Sequence, residues 1–317
     1  MRPSEVPFEA PLVDLRNRIE ELESYPAGSG RSKDVARLRS KLEKATVEIY
    51  RNLTRWEKTL VARHSERPHT LDYVEHLMSD WVEVHGDRAF GDDPAITGGL
   101  ATFMGRSVAV LGHEKGRGTK EKIYRNFGQA RPEGYRKALR VMKLAEKFSL
   151  PLLCFVDTPG AFPGLGAEQR GQAEAIARNL IEMMSLRTPI LVTITGEGGS
   201  GGALGIGIGD RVYILEYSTY SVISPEGCAA ILWKDQNMKE QAAEALRLTA
   251  PDIFELGVVD AVIPEPTGGA HANINETIQN VGGSIAAGLA EIENVPIDKL
   301  LTARRKRFRK QGFLNER

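Results

Sequence analysis

The sequence contains few cysteines, and its histidines form no metal-binding pattern. Its 317 residues include two cysteines, Cys154 and Cys228, which are far apart and belong to no CxxC pair. The six histidines form no HExxH motif or comparable cluster. These absences exclude a disulfide-stabilised scaffold and a structural zinc site. We therefore expect the chain to bind no metal and both cysteines to lie within or beside core elements.

The chain also lacks net charge and long apolar runs. It has 42 Lys and Arg residues against 42 Asp and Glu residues. Proteins that coat nucleic acid, or that bind membranes through a polybasic surface, carry an excess of positive charge, so neither class is expected. No segment approaches the roughly 18 apolar residues of a membrane span, and the N-terminus lacks the apolar stretch of a signal peptide. We therefore expect a cytoplasmic protein.

The composition is that of an ordinary globular protein, and the first 65 residues are predicted to be helical. Hydrophobic residues make up 41% of the chain and charged residues 26%. Apolar residues recur at steps of three or four from Leu12 to Leu22 and from Val35 to Leu60, on either side of a breaker at Pro26–Gly30. The resulting amphipathic hairpin packs on its own domain or binds a partner. A third helix is predicted from Thr70 to His85.

From about Ile96 the pattern changes to short apolar strands that alternate with helices. The predicted strands are Ile96–Phe103, Ser107–Leu111, Leu152–Val156, Pro189–Thr195, Val212–Leu215, Ser221–Ile223 and Val258–Ile263. The predicted helices are Pro132–Phe148, Glu168–Leu186, Pro225–Lys234, Met238–Leu248 and Asn275–Glu293. This alternation predicts an α/β fold with largely parallel strand pairing. We divide the chain into a helical region (1–90), an α/β core (91–270) and a helical segment with a basic tail (271–317).

Glycine is concentrated in one segment. Of the 32 glycines, eight fall within residues 196–209, directly after a predicted strand. Glycine is used where a ligand approaches the main chain or where the backbone needs an unusual conformation. The N–H groups at the start of the short helix that follows would stabilise an anion or a developing oxyanion.

Three motifs match this segment in part. Gly196–Gly201 fits the dinucleotide pattern GxGxxG, but the helix that follows is too short for the usual crossover helix. Gly198–Gly202 fits the nucleophile elbow GxSxG with Ser200 as nucleophile, and a serine hydrolase would then need His271 as its base. A P-loop is excluded because no Gly-Lys-Ser or Gly-Lys-Thr follows. A purely structural scaffold would not need so glycine-rich a crevice.

The third interpretation uses backbone donors alone. A second loop, Asp157–Gly166, leaves the end of another predicted strand. Parallel sheets bind ligands outside the carboxyl ends of their strands, so we expect the two loops to meet in one crevice. Two main-chain loops without an evident nucleophile indicate enolate or oxyanion chemistry on a carbonyl substrate.

Several long motifs carry a family resemblance. They are Lys115–Phe127 (KGRGTKEKIYRNF), Asp157–Gly171 (DTPGAFPGLGAEQRG), Gly196–Gly202 (GEGGSGG), Tyr217–Trp233 (YSTYSVISPEGCAAILW) and Ile263–His271 (IPEPTGGAH). With these motifs the chain resembles the α subunits of the multi-subunit bacterial and plastid acetyl-CoA carboxylase carboxyltransferase. The resemblance implies a crotonase-like fold of ββα superhelix turns over residues 91–270, preceded by the helical hairpin.

The resemblance also implies an activity and a set of partners. Family members transfer CO2 from carboxybiotin, presented by the biotin carboxyl carrier protein, to acetyl-CoA, and the product malonyl-CoA enters fatty-acid synthesis. The expected assembly is an α2β2 heterotetramer with a zinc-containing β subunit, and the chain should be active only within it. No cofactor is expected to be bound covalently, and ATP is used only by the biotin carboxylase component. No membrane or nucleic-acid partner is implied.

Site residues follow from the same resemblance. The backbone N–H groups of Gly201 and Gly202 are expected to hold the biotin oxyanion, while the β subunit supplies the matching pair for the thioester. Valine at either glycine is expected to leave the fold intact and to block the ureido ring. The residues expected to line the substrate are Gly160, Ala161, Gly198 and Gly199. Phe162 occupies a position where many members carry Tyr, so no hydroxyl chemistry is assigned there.

Two basic segments remain. Nine Lys or Arg residues and two acids lie between positions 115 and 140. Among these cations, Lys115, Lys120 and Arg125 are expected to attract the phosphates of CoA or an acidic face of the carrier protein, unless the segment is simply a solvated face. The tail Arg304–Lys310 is interpreted as a solvated helix end, with nucleic-acid contact as the alternative.

Overall fold

One mixed sheet organises the chain in the computed structural model, which describes residues 6–25 and 31–312. The predicted breaker at Pro26–Gly30 lies outside the described residues. The strands are β1 (Met78–Glu83), β2 (Ile96–Phe103), β3 (Arg106–His113), β4 (Leu152–Thr158), β5 (Ile190–Gly199), β6 (Arg211–Leu215), β7 (Thr219–Ser221) and β8 (Ala261–Ile263). Their order is β1-β2-β3-β4-β5-β6-β8, and β7 pairs with the end of β5.

Strand pairing is antiparallel only at one edge of this sheet. β1 pairs with β2 and β2 with β3 in antiparallel fashion, whereas β3, β4, β5, β6 and β8 pair in parallel, as do β5 and β7. Parallel strands need crossover connections, and helices between the strands supply most of them. The predicted α/β class with largely parallel pairing is therefore confirmed.

Fourteen α-helices occur among the described residues. They are α1 (Ala10–Glu23), α2 (Ser32–Arg51), α3 (Arg55–Ala62), α4 (Thr70–Leu77), α5 (Gly118–Tyr124), α6 (Pro132–Phe148), α7 (Leu165–Gln169), α8 (Gln172–Ser185), α9 (Ser200–Leu204), α10 (Pro225–Leu232), α11 (Lys239–Leu246), α12 (Ala250–Glu255), α13 (Ile274–Ile292) and α14 (Ile297–Arg309). Within the described part of the chain, none combines the length and apolar character of a membrane-spanning helix.

The central strands are buried on both faces. Along β4, Leu152, Cys154 and Val156 belong to one apolar cluster, and the alternate residues Leu153 and Phe155 belong to another. This alternation follows the two-residue period of a strand. Helices α6 and α8 contribute to the first cluster, and α4 and α13 contribute to the second. A strand covered on both sides reads as the continuous apolar run seen in the sequence.

Both cysteines are free and buried, as the sequence predicts. Cys154 lies in the apolar cluster between the sheet and α6, and burial raises the pKa of its thiol well above the ordinary value. A thiol that stays protonated is a poor nucleophile, so Cys154 is a packing residue. Cys228 lies in a small cluster with Ala229 and Ala242.

The predicted N-terminal hairpin forms and packs on its own chain. α1 buries Leu12, whose cluster includes Tyr50 and Tyr217, the last of these in the connection between β6 and β7. The rings of Tyr50 and Tyr217 meet edge to face with centroids 5.4 Å apart. The second predicted helix is in fact two, because Thr54 ends the run and caps α3 through a capping box with Glu57.

Some sequence predictions for individual elements are wrong. The helix predicted over Thr70–His85 stops at Leu77, and Met78–Glu83 forms β1, which pairs with the edge of β2. Apolar residues of this segment have helical spacing, but pairing with β2 determines its conformation. Without β1, the backbone N–H and C=O groups along the edge of β2 would lack hydrogen-bond partners, which costs free energy. The helix predicted over Glu168–Leu186 is interrupted at Gly171, which has a φ of 82°. The strand predicted at Ser221–Ile223 lies two residues earlier, at Thr219–Ser221.

Part of the basic tail is buried, which corrects its interpretation as a fully solvated helix end. Arg304 in α14 is only 1% exposed, and its guanidinium pairs with Asp210 at 2.6 Å. Its remaining N–H groups donate to the backbone carbonyls of Met183, Leu186 and Thr188 at 2.7–2.8 Å. Arg304 therefore ties α14 to the end of α8 and to the start of β6.

We expect Arg304→Met to lower the free energy of unfolding by about 3–5 kcal/mol, because it leaves the Asp210 charge buried without a partner. Urea unfolding of the full chain measures this loss. Arg305→Met is the matched control, since Arg305 is exposed on the same helix, and it should change stability by less than about 0.5 kcal/mol. Equal effects from the two variants would contradict the anchoring role of Arg304.

Candidate active site

Two backbone loops meet where β4 and β5 end, as the sequence predicts. Thr158 at the end of β4 is paired in register with Gly198 near the end of β5. A Cβ atom on Gly199 would overlap the carbonyl oxygen of Pro159, and one on Gly202 would lie 2.5 Å from the amide nitrogen of Ala161. The loops therefore touch backbone to backbone, and only glycine permits this approach at positions 199 and 202.

Gly201 differs from its neighbours. A Cβ atom there would have only the side chain of Ile176 within 4 Å, at 3.7 Å, so its surroundings are open. Gly201 and Gly202 lie in the first turn of α9, whose N–H groups have no partner within the helix. The expectation that valine is tolerated at both glycines is therefore corrected: at Gly202 it would collide with the neighbouring loop.

The other residues predicted to line the substrate lie in the same place. Gly160 and Ala161 form the loop after β4 and contact Gly202, while Gly198 lies against the ring of Tyr220. The carboxyl edge of the sheet thus brings together all six of the predicted loop residues. Their roles toward substrate stay predictions.

Ser200 is not part of a catalytic triad. It has a φ of 52°, an uncommon conformation for a residue other than glycine. However, no described histidine hydrogen-bonds to its hydroxyl. His271, the base that a hydrolase would need, stacks on His64 with ring centroids 3.7 Å apart. Its Nε2 lies 3.7 Å from a carboxylate oxygen of Glu9 in the N-terminal region.

A chain of ion pairs lies beneath the two loops. The Lys115 ammonium is 2.7 Å from the Asp157 carboxylate at the end of β4 and 2.9 Å from the Glu197 carboxylate on β5. Asp157 also accepts a hydrogen bond of 2.8 Å from the backbone N–H of Glu197. Arg63 at the end of α3 continues the chain, because it pairs with Glu197 at 2.7 Å and with Glu226 of α10 at 2.6 Å.

These contacts fix the charge states of the chain. Burial alone would lower the pKa of Lys115, but the two carboxylates raise it above the ordinary value. Burial alone would raise the pKa of Asp157, but Lys115 beside it holds that pKa below its usual range. Burial lowers the pKa of the nearby His113 to about 4, so that imidazole is neutral at physiological pH. The charges of Lys115 and Asp157 therefore persist at neutral pH.

The predicted phosphate-binding cations have different surroundings. Lys115 is already neutralised by two carboxylates, which corrects the expectation that its charge is available to a phosphate. Arg125 donates to the carbonyl of Pro94 at 3.1 Å and lies 3.6 Å from Glu121. Lys120 is exposed on α5 and has no ion pair among the described residues. Of the three, Lys120 retains an accessible charge.

The local sequence pattern does not predict the ion-pair chain. Arg63, Glu197 and Glu226 were not singled out, although an acid inside a glycine-rich strand end is an available signal. Only the fold brings together residues that are as far apart in sequence as Arg63 and Glu226.

One group of side chains has the composition of a metal site. Glu9, His64 and His271 place potential ligand atoms within 4.8 Å of one another. Nevertheless, the two imidazoles are stacked nearly parallel, at 14°, and lone pairs in parallel ring planes do not converge on one ion. Glu9 also accepts a hydrogen bond from the hydroxyl of Tyr50. This group therefore holds the N-terminal region against the loop around His271.

Comparison with known proteins relates the whole chain to one family. The model of a family described as acetyl co-enzyme A carboxylase carboxyltransferase-like matches residues 5–312. The chain is 55% identical over 310 residues to the acetyl-coenzyme A carboxylase carboxyl transferase subunit alpha of Geobacter metallireducens, and 98% of each chain is covered. It is 52% identical over 311 residues to the subunit of the same name from Bacillus cereus, which covers 98% of this chain and 96% of that protein.

Solved structures share the fold at low identity. Transcarboxylase 12S superposes with a TM-score of 0.59 at 20% identity, over 73% of this chain and 42% of that chain. The beta subunit of the P. aeruginosa geranyl-CoA carboxylase gives a TM-score of 0.56 at 17% identity, over 78% and 46% of the two chains. A Pseudomonas malonate decarboxylase hetero-tetramer in complex with coenzyme A gives 0.56 at 19% identity, over 70% and 93%. The predicted crotonase-like fold is thereby confirmed.

The ion-pair chain yields a test by stability. We expect Lys115→Met to lower the free energy of unfolding by about 3–5 kcal/mol near neutral pH, because Asp157 would keep a buried charge without its cation, whereas Glu197 would still pair with Arg63. The deficit should shrink as the pH falls toward about 4. Protonation relieves the unpaired Asp157 carboxylate in the variant. Below about pH 4 the wild type in addition loses the stability that its lowered Asp157 pKa contributes at higher pH.

Urea unfolding at several pH values measures this effect. Lys120→Met, which removes an exposed lysine of the same segment, should leave the unfolding free energy nearly unchanged. A deficit for Lys115→Met that does not change with pH would contradict the electrostatic origin proposed for it.

Proposed function

Because this chain belongs to the acetyl-coenzyme A carboxylase carboxyltransferase family as an alpha subunit, we propose that it transfers the carboxyl group of carboxybiotin to acetyl-CoA. The product, malonyl-CoA, supplies fatty-acid synthesis. Carboxybiotin is presented by the biotin carboxyl carrier protein and is formed by biotin carboxylase, the component that uses ATP. The carboxyltransferase prediction is confirmed, whereas the serine hydrolase alternative has support neither from the relatives nor from the surroundings of Ser200.

The reaction places negative charge on two oxygens. Removal of a proton from the acetyl methyl group moves charge onto the thioester oxygen. Breaking the N–CO2 bond of carboxybiotin moves an electron pair onto the ureido group and its oxygen. The enolate carbon then bonds to CO2, and the ureido nitrogen takes up the proton that the acetyl methyl group lost. Each oxygen needs fixed hydrogen-bond donors, and removing one such donor typically costs about 3–4 kcal/mol of barrier.

In our proposal the N–H groups of Gly201 and Gly202 bind the ureido oxygen. The observation that supports this role is the contrast within α9: Gly202 is fixed by backbone contact with Ala161, while Gly201 faces open surroundings. The first turn is therefore held rigidly, and a flat ring has room to approach its donors. The ion-pair chain under the loops maintains this geometry.

A second set of donors is required for the thioester oxygen. We propose that the zinc-containing β subunit supplies it in an α2β2 assembly, since the relatives are named as alpha subunits and so imply a partner subunit. In this arrangement the zinc belongs to the β subunit and the present chain needs no resident cofactor. We also propose that the assembly works in the cytoplasm.

Substitutions at adjacent residues test the oxyanion role. Gly201→Val should lower malonyl-CoA formation by the reconstituted α–β pair about 100-fold or more, because its side chain occupies the position of the ureido ring. The variant should still fold, since valine finds space beside Ile176. Ser200→Ala should change the rate only a few-fold if the backbone donors carry the chemistry.

Gly283→Val is the matched control, because a side chain on this helical glycine of α13 has nothing within 4 Å. Assembly of each variant with the β subunit is checked by size, so that misfolding is not taken for a lost site. If Ser200→Ala were inactive while Gly201→Val remained active, the backbone-donor assignment would be wrong and Ser200 would again be the candidate nucleophile.

The split site has its own test. The isolated chain should form no malonyl-CoA from carboxybiotin and acetyl-CoA at any concentration, because half of the required donors would be missing. Addition of the β subunit should restore activity and show saturation at an equal molar ratio. Turnover by the isolated chain at a rate comparable to that of the pair would refute the split-site proposal.

A further inference from the structure

A strained turn lies beside the proposed active site. Asn126, Phe127 and Gly128 follow one another with φ angles of 49°, 56° and 73°. Asparagine and glycine adopt the left-handed region at little cost, but a bulky side chain there is a genuine outlier that costs about 1–2 kcal/mol. Three consecutive residues in this region are unusual, and the strain falls on Phe127.

Hydrogen bonds on both sides hold this turn in place. The side-chain amide of Asn126 donates to the carbonyl of Gln129 at 2.7 Å, and the N–H of Gly128 donates to the carbonyl of Arg125 at 3.0 Å. The Thr158 hydroxyl at the end of β4 donates to the carbonyl of Gly128 at 2.7 Å. The turn is therefore fixed to the strand end that carries one of the two backbone loops.

The strain does not serve packing of the Phe127 ring. That side chain is 49% exposed, and it forms no ring contact or cation–π pair with the described residues. The protein thus maintains an unfavourable backbone conformation and an exposed aromatic ring at the same residue. Strain that the surroundings maintain in this way is typical of binding sites.

The ring borders a cavity that lies beside the proposed active site. The cavity has a volume of about 250 Å³, and its lining includes Lys122, Phe127, Pro159 and Glu197. Pro159 begins the loop after β4, and Glu197 belongs to the ion-pair chain. Lys122 forms no ion pair with any described residue. It therefore gives this cavity an available positive charge next to the aromatic face of Phe127.

We propose that Phe127 stacks on the flat ring of a substrate while Lys122 attracts an anionic group attached to that ring. This inference rests on the proposed carboxyltransferase function. Two substrate parts share this chemistry: the adenine of coenzyme A with its phosphates, and the ureido ring of biotin with its transferred carboxylate. An aromatic face binds a flat nitrogen heterocycle in either case, and stacking on an aromatic side chain commonly changes affinity about ten-fold or more.

Phe127→Asn separates binding from folding. Asparagine accepts the left-handed conformation, so this variant should unfold at a temperature equal to or above that of the wild type. A merely structural role of the ring predicts a lower temperature instead. In the reverse reaction of the reconstituted α–β pair, with malonyl-CoA and biocytin as substrates, the KM of one substrate should rise about ten-fold. Phe127→Tyr should retain the wild-type KM, because it keeps the aromatic face.

A truncated substrate distinguishes the two sources. If adenine is bound, Phe127→Asn raises the KM of malonyl-CoA and leaves that of malonyl-pantetheine, which lacks the nucleotide, unchanged. If the ureido ring is bound, the KM of biocytin rises and both malonyl thioesters are unaffected. Phe148→Ala is the matched control, since Phe148 is 55% exposed at the end of α6, and no KM should change.

Three results would overturn the inference. They are unchanged KM values for both substrates in Phe127→Asn, a fall in kcat alone, and loss of assembly with the β subunit, which would show that the ring packs against the partner. Absence of turnover in the wild-type α–β pair would instead count against the proposed function. Binding by the Phe127 ring would then be tested by direct titration of that pair with coenzyme A and with biocytin. Equal binding of both ligands by wild type and Phe127→Asn would then overturn the inference alone.

Discussion

The proposed active site depends on one constraint. The backbone loops that follow β4 and β5 must touch each other while the buried carboxylates of Asp157 and Glu197 lie beneath them. Asp157 and Glu197 stand at the ends of adjacent strands, and without a cation their buried charges would repel each other. Lys115 lies between them at 2.7 and 2.9 Å, so the strand ends attract each other through it. Glycine at positions 199 and 202 then lets the loops close on each other.

The sheet provides the setting for this constraint. Because β4 and β5 are parallel neighbours in the middle of the sheet, their carboxyl ends leave the same edge side by side. Both strands are covered on two faces, so the position of their ends is fixed by the core as well as by the ion pairs. Arg63 extends the same network to α10, and in this way the N-terminal helices help to hold the site.

The local sequence pattern predicts those secondary-structure elements whose conformation depends on residues close together in the sequence. Strand β2 was predicted with its observed bounds, and the meeting of the two glycine-bearing loops follows from parallel topology. The second half of the helix predicted from Thr70 became β1, since pairing with β2 depends on a partner that no local window contains. The neutralised Lys115 was missed for the same reason: its counterions lie 42 and 82 positions away. Charge counted along a sequence does not reveal which cations are already paired.

Two residues with strained backbone conformations lie at the same edge of the sheet. Ser200 after β5 and Phe127 beside the end of β4 both have φ angles in the left-handed region. Neither conformation is favourable for its own residue, and that of Phe127 is maintained by the hydrogen bonds on both sides of its turn. A fold stabilised by a core covered on two faces tolerates such local costs of about 1–3 kcal/mol. Seven other described non-glycine residues also have a positive φ, so strain alone does not mark the site; Ser200 and Phe127 are set apart by their position beside its loops.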